Sequence, residues 1–236
     1  MKLEKERLLI IAPHADDEVL GCFRLINKIK ENGGKVFVQV LTMGGYTKRG
    51  HGRLTKETWK KEFLKVSKLL KIDRYDIAFY NDEIKHFDNM PQMDLIDYID
   101  YESKVSISKI KPTIVALPTI FSTHQDHVHT YKVTIAALRP HPQKTNPFTN
   151  LVLSYESPEY YFWSPYSEMG KFSPNFYLEQ SKEQINKKIR TLNVYKSQLR
   201  KGQRDGNKVT ALAKIRGSEV GLDYAESFHI HRLFTK

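Results

Sequence analysis

Leu8-Leu9-Ile10-Ile11-Ala12, then Pro13-His14-Ala15-Asp16-Asp17-Glu18, then Val19-Leu20-Gly21-Cys22-Phe23: an apolar run, a polar turn and a helical stripe follow one another without a gap. The apolar run is continuous rather than alternating, the pattern of a strand buried on both faces. Val19, Leu20, Cys22, Phe23, Ile26 and Ile29 then recur at helical spacing, and Gly33-Gly34 ends the helix. Working outward, Val36 to Thr42 reads as a second strand broken by Gly44-Gly45, followed by a loop, a helix over Thr55 to Lys71 and a short strand over Asp76 to Tyr80. Met93 to Ile110 is predicted as one helix, Thr113 to Leu117 as a fourth strand, the stretch after a polar loop to about Leu138 as a helix, and Leu151 to Tyr155 as a fifth strand. Strand and helix alternate with short connections, which specifies an α/β class: a Rossmann-like three-layer fold with a mainly parallel sheet. Beyond residue 156 the pattern weakens to a long loop over Ser157 to Pro174 and a helix over Ser181 to Leu199. With no repeat and no linker, residues 1–236 read as a single domain.

Composition narrows the function classes. No apolar run approaches the roughly 20 residues of a spanning helix, and the charged N-terminus lacks the apolar segment of a secretory signal. The only cysteine, Cys22, allows no internal disulfide, which with the rest makes a cytoplasmic location the expectation. The 38 basic against 27 acidic residues give +11, which favours an anionic partner. Nucleic acid is not expected, because no binding module accompanies the charge. A homo-oligomer is compatible with everything in the sequence.

Ligands of open α/β sheets bind beyond the carboxyl ends of the strands. Two polar segments fall there, His14-Ala15-Asp16-Asp17-Glu18 after strand one and His124-Gln125-Asp126-His127 after strand four. Two imidazoles and a carboxylate with one position left for water form a recurring catalytic zinc arrangement, and further carboxylates and imidazoles can move protons. Spacing alone does not assign the roles. A plainer reading of the three carboxylates is a helix start whose acidic residues cap the backbone.

The residues also resemble a known family. Ala12 to Cys22 is similar to the signature of the PIG-L or LmbE-like deacetylases, and His124-Gln125-Asp126-His127 resembles their second motif; Tyr195-Lys196-Ser197-Gln198, Arg216 to Glu219 and Tyr224 to Phe228 extend the likeness. The resemblance implies zinc, or another divalent metal such as Fe2+, held by His14, Asp17 and His127. It implies Asp16 as general base, His124 as the group facing the carbonyl or leaving amine, and Asp126 as the orienter of a neighbouring imidazole. Hydrolysis by metal-activated water would remove an acyl group, usually acetyl, from an amino sugar, so the expected partner is a small N-acetylated sugar or glycoconjugate.

This chain departs from the family where Ala15 replaces the usual proline, at Phe23-Arg24 in place of a glycine pair, and at Trp59-Lys60-Lys61, where relatives often carry a sugar-holding arginine. Arg53 is a candidate contact for a substrate phosphate, while other candidates read more plainly: His51 as a solvated loop residue, His86, His141, His229 and His231 as surface or core residues, and Tyr160-Tyr161-Phe162-Trp163 as packing rather than a sugar platform. Asp223 and Glu226 belong to the family-like C-terminal stretch without an assigned role. Two competing functions remain: a facial-triad iron enzyme using His124-x-Asp126, which the α/β order disfavours, and a non-catalytic protein binding nucleic acid or an anionic glycoconjugate.

Overall fold

A computed structural model describes residues 4–44, 46–48, 52–79, 87–140, 148–163, 170–198 and 206–234. The Leu8–Ala12 run lies inside β1 (Arg7–His14), whose side chains point alternately to two covered faces. Leu8, Ile10 and Ala12 enter one core and Leu9 and Ile11 the other, all without solvent exposure, so the run has no polar face to show. At about 1.5–3 kcal/mol for each buried Leu or Ile, this strand alone contributes several kcal/mol to burial.

The chain continues through α1 (Asp17–Glu31), β2 (Lys35–Thr42), a hairpin of β3 (Tyr46–Lys48) and β4 (Gly52–Leu54), α2 (Lys56–Leu69) and β5 (Arg74–Phe79). Then come α3 (Gln92–Asp97), α4 (Ile107–Ile110), β6 (Ile114–Pro118), α5 (Gln125–Ala137), β7 (Leu151–Tyr155) and α6 (Pro158–Trp163). The remaining elements are β8 (Phe176–Glu179), α7 (Lys182–Leu192), α8 (Gly206–Ser218) and β9 (Ala225–Leu233). Seven strands form one mixed sheet in the order β5-β2-β1-β6-β7-β9-β8. The first five neighbours pair in parallel, whereas β9 pairs antiparallel with both β7 and β8. Residues of α1, α2, α7 and α8 cover one face, and residues of α3, α4 and α5 the other.

The structure corrects several local expectations. Met93–Ile110 is not one helix: α3 runs into a π-helical turn over Tyr98–Glu102, and the chain leaves helical geometry at Ser103 (ψ 144°) before α4. Asp76 on β5 accounts for the break, accepting from Ser103 Oγ at 3.1 Å and from the Lys104 N–H at 2.8 Å, while Ser103 Oγ accepts from the Val105 N–H. A serine so engaged offers the backbone an alternative to the helix. The expected loop after β2 contains the β3–β4 hairpin, the expected loop over 157–174 begins with α6, and the helix from Ser181 ends at Leu192.

Phe23 is buried in the core, and Arg24 donates to Glu31 and to the Glu179 carbonyl, so this departure from the family serves packing against β8. Gly21 sits where α1 meets β7, and an added Cβ would overlap the Tyr155 ring. Gly21→Ala is therefore expected to lower stability by about 1–3 kcal/mol, read as a fall in Tm of about 2–4 °C per kcal/mol in thermal unfolding; an unchanged Tm would show that the helix shifts freely here.

Candidate metal centre

Both polar segments lie at the carboxyl edge of the parallel strands. β1 ends at His14 and turns at once into α1, while the chain leaving β6 reaches His124, the N-cap of α5. One turn of α5 then brings Asp126 and His127 inward, where both are buried.

The side chains converge. Asp17 Oδ2 lies 3.4 Å from His127 Nε2 and 3.6 Å from His14 Nδ1, and accepts from the His14 backbone N–H at 3.0 Å. On the far side of its ring, His14 Nε2 bonds to Asp126 Oδ2 at 2.8 Å. That bond places a ring proton on Nε2 and turns Nδ1 toward Asp17. The Asp126 N–H in turn donates to His124 Nδ1 at 3.3 Å, which leaves the His124 ring proton on Nε2. The His124 side chain is 44% exposed, against 11% or less for His14, Asp17, Asp126 and His127, so it forms the open wall of the site.

Electrostatics follow from this packing. Burial lowers the His14 pKa, but the hydrogen bonds and charges of Asp126 and Asp17 outweigh it and bring the group up to about 9. Burial pushes Asp17 up, yet the neighbouring His127 and His14 hold its carboxyl well below the usual carboxylate range. His127 is pushed down to about 3, by burial first, and stays neutral. Asp126 is held below its ordinary value: burial opposes this, but its bond to His14 prevails.

The residues fit a divalent cation. Atoms of His14, Asp17 and His127 able to ligate lie within 4.8 Å of one another, all three residues buried. Ligands at about 2.0–2.2 Å from a tetrahedral cation are separated by about 3.3–3.6 Å, the spacing seen around Asp17 Oδ2. Imidazole and carboxylate donors suit zinc and also ferrous iron. His14, His124 and Asp126 form a second close group, but there Asp126 is already bonded to His14.

Asp16 is set apart. It occupies the α1 N-cap with φ 120° and ψ −22° and makes no side-chain cap hydrogen bond, so the plain capping role does not describe it. A non-glycine residue in such a region carries roughly 1–3 kcal/mol of strain, which tends to accumulate at functional sites. Its N–H donates to Glu18 Oε2 at 2.8 Å. Glu18 is wholly buried, and burial raises its pKa to about 7.

Sequence reasoning left Glu18, Trp59 and Tyr195 without roles, yet all three are buried against this edge. Trp59 stacks beside His14 with ring centroids 6.2 Å apart, and its apolar helical spacing disguised it as ordinary core. Glu226 also gains a partner, pairing with Lys188 at 3.0 Å and accepting the Leu25 N–H, while Asp223 lies in the bend before β9. Of the other candidates, His229 bonds the Ser173 carbonyl at 2.7 Å and contacts His231. His51, His86 and His141, with the side chains of Arg53, Tyr160 and Trp163, lie outside the described residues.

Residues 9–138 match the PIG-L family, described as GlcNAc-PI de-N-acetylase. No curated protein matches the chain. Among solved structures, a conserved protein from Thermus thermophilus shares 23% identity at a TM-score of 0.70, over 98% of this chain and 97% of that one. The N,N'-diacetylchitobiose deacetylase from Pyrococcus horikoshii shares 21% at 0.69, over 95% and 83%. The 4-carboxy-2-hydroxymuconate hydratase GalB from Pseudomonas putida shares 15% at 0.71, over 98% of each chain. These likenesses establish a common fold, and the fold hosts more than one chemistry.

Proposed function

The chain belongs to the PIG-L family, and on that premise we propose that it is a divalent-metal-dependent amide hydrolase that removes an N-acyl group, in the first instance acetyl, from an amino sugar or sugar conjugate. The observation that carries this reading is the convergence of His14, Asp17 and His127 on one point beside His124. We assign His14, Asp17 and His127 as ligands, zinc being the expected metal and Fe2+ the other candidate, and treat the chain as one catalytic domain.

A cation held there supplies a Lewis acid for the amide carbonyl and lowers the pKa of a coordinated water to about 7. The chain's own groups do the rest. Asp16 takes the proton released as water adds to the carbonyl carbon, and returns it toward the departing nitrogen. His124, with its proton on Nε2 and its ring open to the substrate side, donates to the developing oxyanion or leaving amine. Asp126 fixes the tautomer and tilt of His14 through their 2.8 Å bond. The C–N bond breaks, giving a carboxylate and a free amine.

The +11 charge supports an anionic conjugate, such as a sugar phosphate, nucleotide sugar or malate glycoside. Among the described residues no helix is long and apolar enough to cross a membrane. The single buried cysteine supports a reducing, cytoplasmic location.

Acetate release from a panel of N-acetylated sugars and sugar conjugates, with and without chelator, tests the reading. Release that chelator abolishes and zinc restores is expected; no release from any member, alongside steeply salt-dependent nucleic-acid binding, would favour the non-catalytic alternative.

A further inference from the structure

The base proposed above sits on a peptide whose two polar ends are both held by side chains. The Ala15 carbonyl accepts from Trp59 Nε1 at 3.1 Å, and the Asp16 N–H donates to Glu18 Oε2 at 2.8 Å. Glu18 is itself braced, its Oε1 accepting from the Tyr195 hydroxyl at 2.5 Å. Trp59, Glu18 and Tyr195 are 3% exposed or less, so water does not compete for these bonds. The turn carrying Tyr195 is also fastened to α2, because the Ser197 N–H and Oγ both donate to Glu62, three residues beyond Trp59.

We infer that Trp59, Glu18 and Tyr195 form a grip on the Ala15–Asp16 peptide and act as positioning residues for the Asp16 carboxylate. The grip explains how a residue with a Cβ is kept at φ 120°. With both ends of the preceding peptide pinned, rotation about the Asp16 N–Cα bond toward an ordinary φ would swing Cα–Cβ away from its present direction or break one of the two bonds. The metal-facing groups have hydrogen bonds of their own, Asp17 from the His14 N–H and His14 to Asp126, so loss of the grip's hydrogen bonds reaches Asp16 first. It also gives a role to two sequence features the chemistry leaves unused: the Tyr195-Lys196-Ser197-Gln198 stretch, and Trp59 at the position where a sugar contact was in question. Trp59 faces Ala15 and His14, and its indole N–H is already engaged.

The inference rests on Asp16 being the base, and its test separates the two. Trp59→Phe keeps a ring beside His14 but removes the N–H; Tyr195→Phe removes only the hydroxyl. Each is expected to lower kcat about 10- to 100-fold, the order expected from a small misplacement of a reacting group. KM should stay within about twofold and metal at one equivalent, because Trp59→Phe keeps a ring beside His14 and both variants leave the bonds that hold Asp17 and His14 in place. Glu18→Gln, which keeps an acceptor for the Asp16 N–H, should retain more activity than Glu18→Ala. Crystal structures of the two phenylalanine variants supply a readout independent of turnover: Asp16 φ is expected to leave the positive region. Asp16 remaining near its present φ in both variants overturns the grip, whatever the kinetics. A wild-type protein inert on every acylated sugar refutes the proposed reaction instead, and the backbone readout still decides the grip.

Discussion

His127→Ala is expected to lose its metal and, with it, measurable turnover. His127 is buried, neutral and 3.4 Å from Asp17 Oδ2, so its imidazole offers a lone pair to a cation, whereas the neighbouring His124 is far more exposed and already accepts the Asp126 N–H on Nδ1. The fold should survive, because Asp17 keeps the His14 N–H as a donor and both strands of the site keep their apolar cores. His14→Ala is expected to behave alike, with the further loss of the partner of Asp126. Metal content per chain and acetate release, measured on the same folded samples, check this. Stoichiometric zinc retained in both single variants would remove His14 and His127 from the ligand set.

Asp16→Ala is expected to do the opposite: keep the metal and lose most of the rate. General base removal costs typically about 10²–10⁴ in rate, and the ligating atoms that converge belong to His14, Asp17 and His127, which this substitution leaves in place. Asp16→Asn is the sharper variant, since asparagine tolerates positive φ better than alanine and leaves the strained backbone nearer its native shape. Both should fall in kcat with one metal equivalent bound. Wild-type turnover in either would show that the proton goes elsewhere.

Much of this site was legible because its chemistry is local. His14, Asp16 and Asp17 follow the most clearly buried strand in the chain, and the α/β order places that strand's end at the ligand-binding edge. His124 and His127 come one helical turn apart after another continuous buried strand, β6. The pairing of these two segments follows from the parallel neighbours β1 and β6, which register Leu8 with Ile114.

What the sequence hid depends on contacts distant along the chain. Trp59 looks like any apolar helix residue until it reaches Ala15, and Tyr195 reaches Glu18 across 177 positions. The break at Ser103 is set by Asp76 from another strand, against a local helical pattern. β9 was unread because Glu226, Ser227, His229, His231 and Arg232 dilute its apolar signal, although its first four residues are buried between β7 and β8. α8 was obscured in the same way by Arg216, a fully buried cation that Glu156 satisfies at 2.6 and 2.7 Å.

Hydrolysis is proposed at a metal held by His14, Asp17 and His127. Its most direct test is a zinc titration of chelator-stripped protein, with bound metal and acetate release from N-acetylated sugar conjugates followed together. Release should rise with occupancy and level off at one equivalent per chain, and a parallel titration of Asp16→Asn should bind the same equivalent with little release. Acetate release that persists in the stripped protein, or none at full occupancy with any conjugate, would rule out metal-dependent deacylation at these residues.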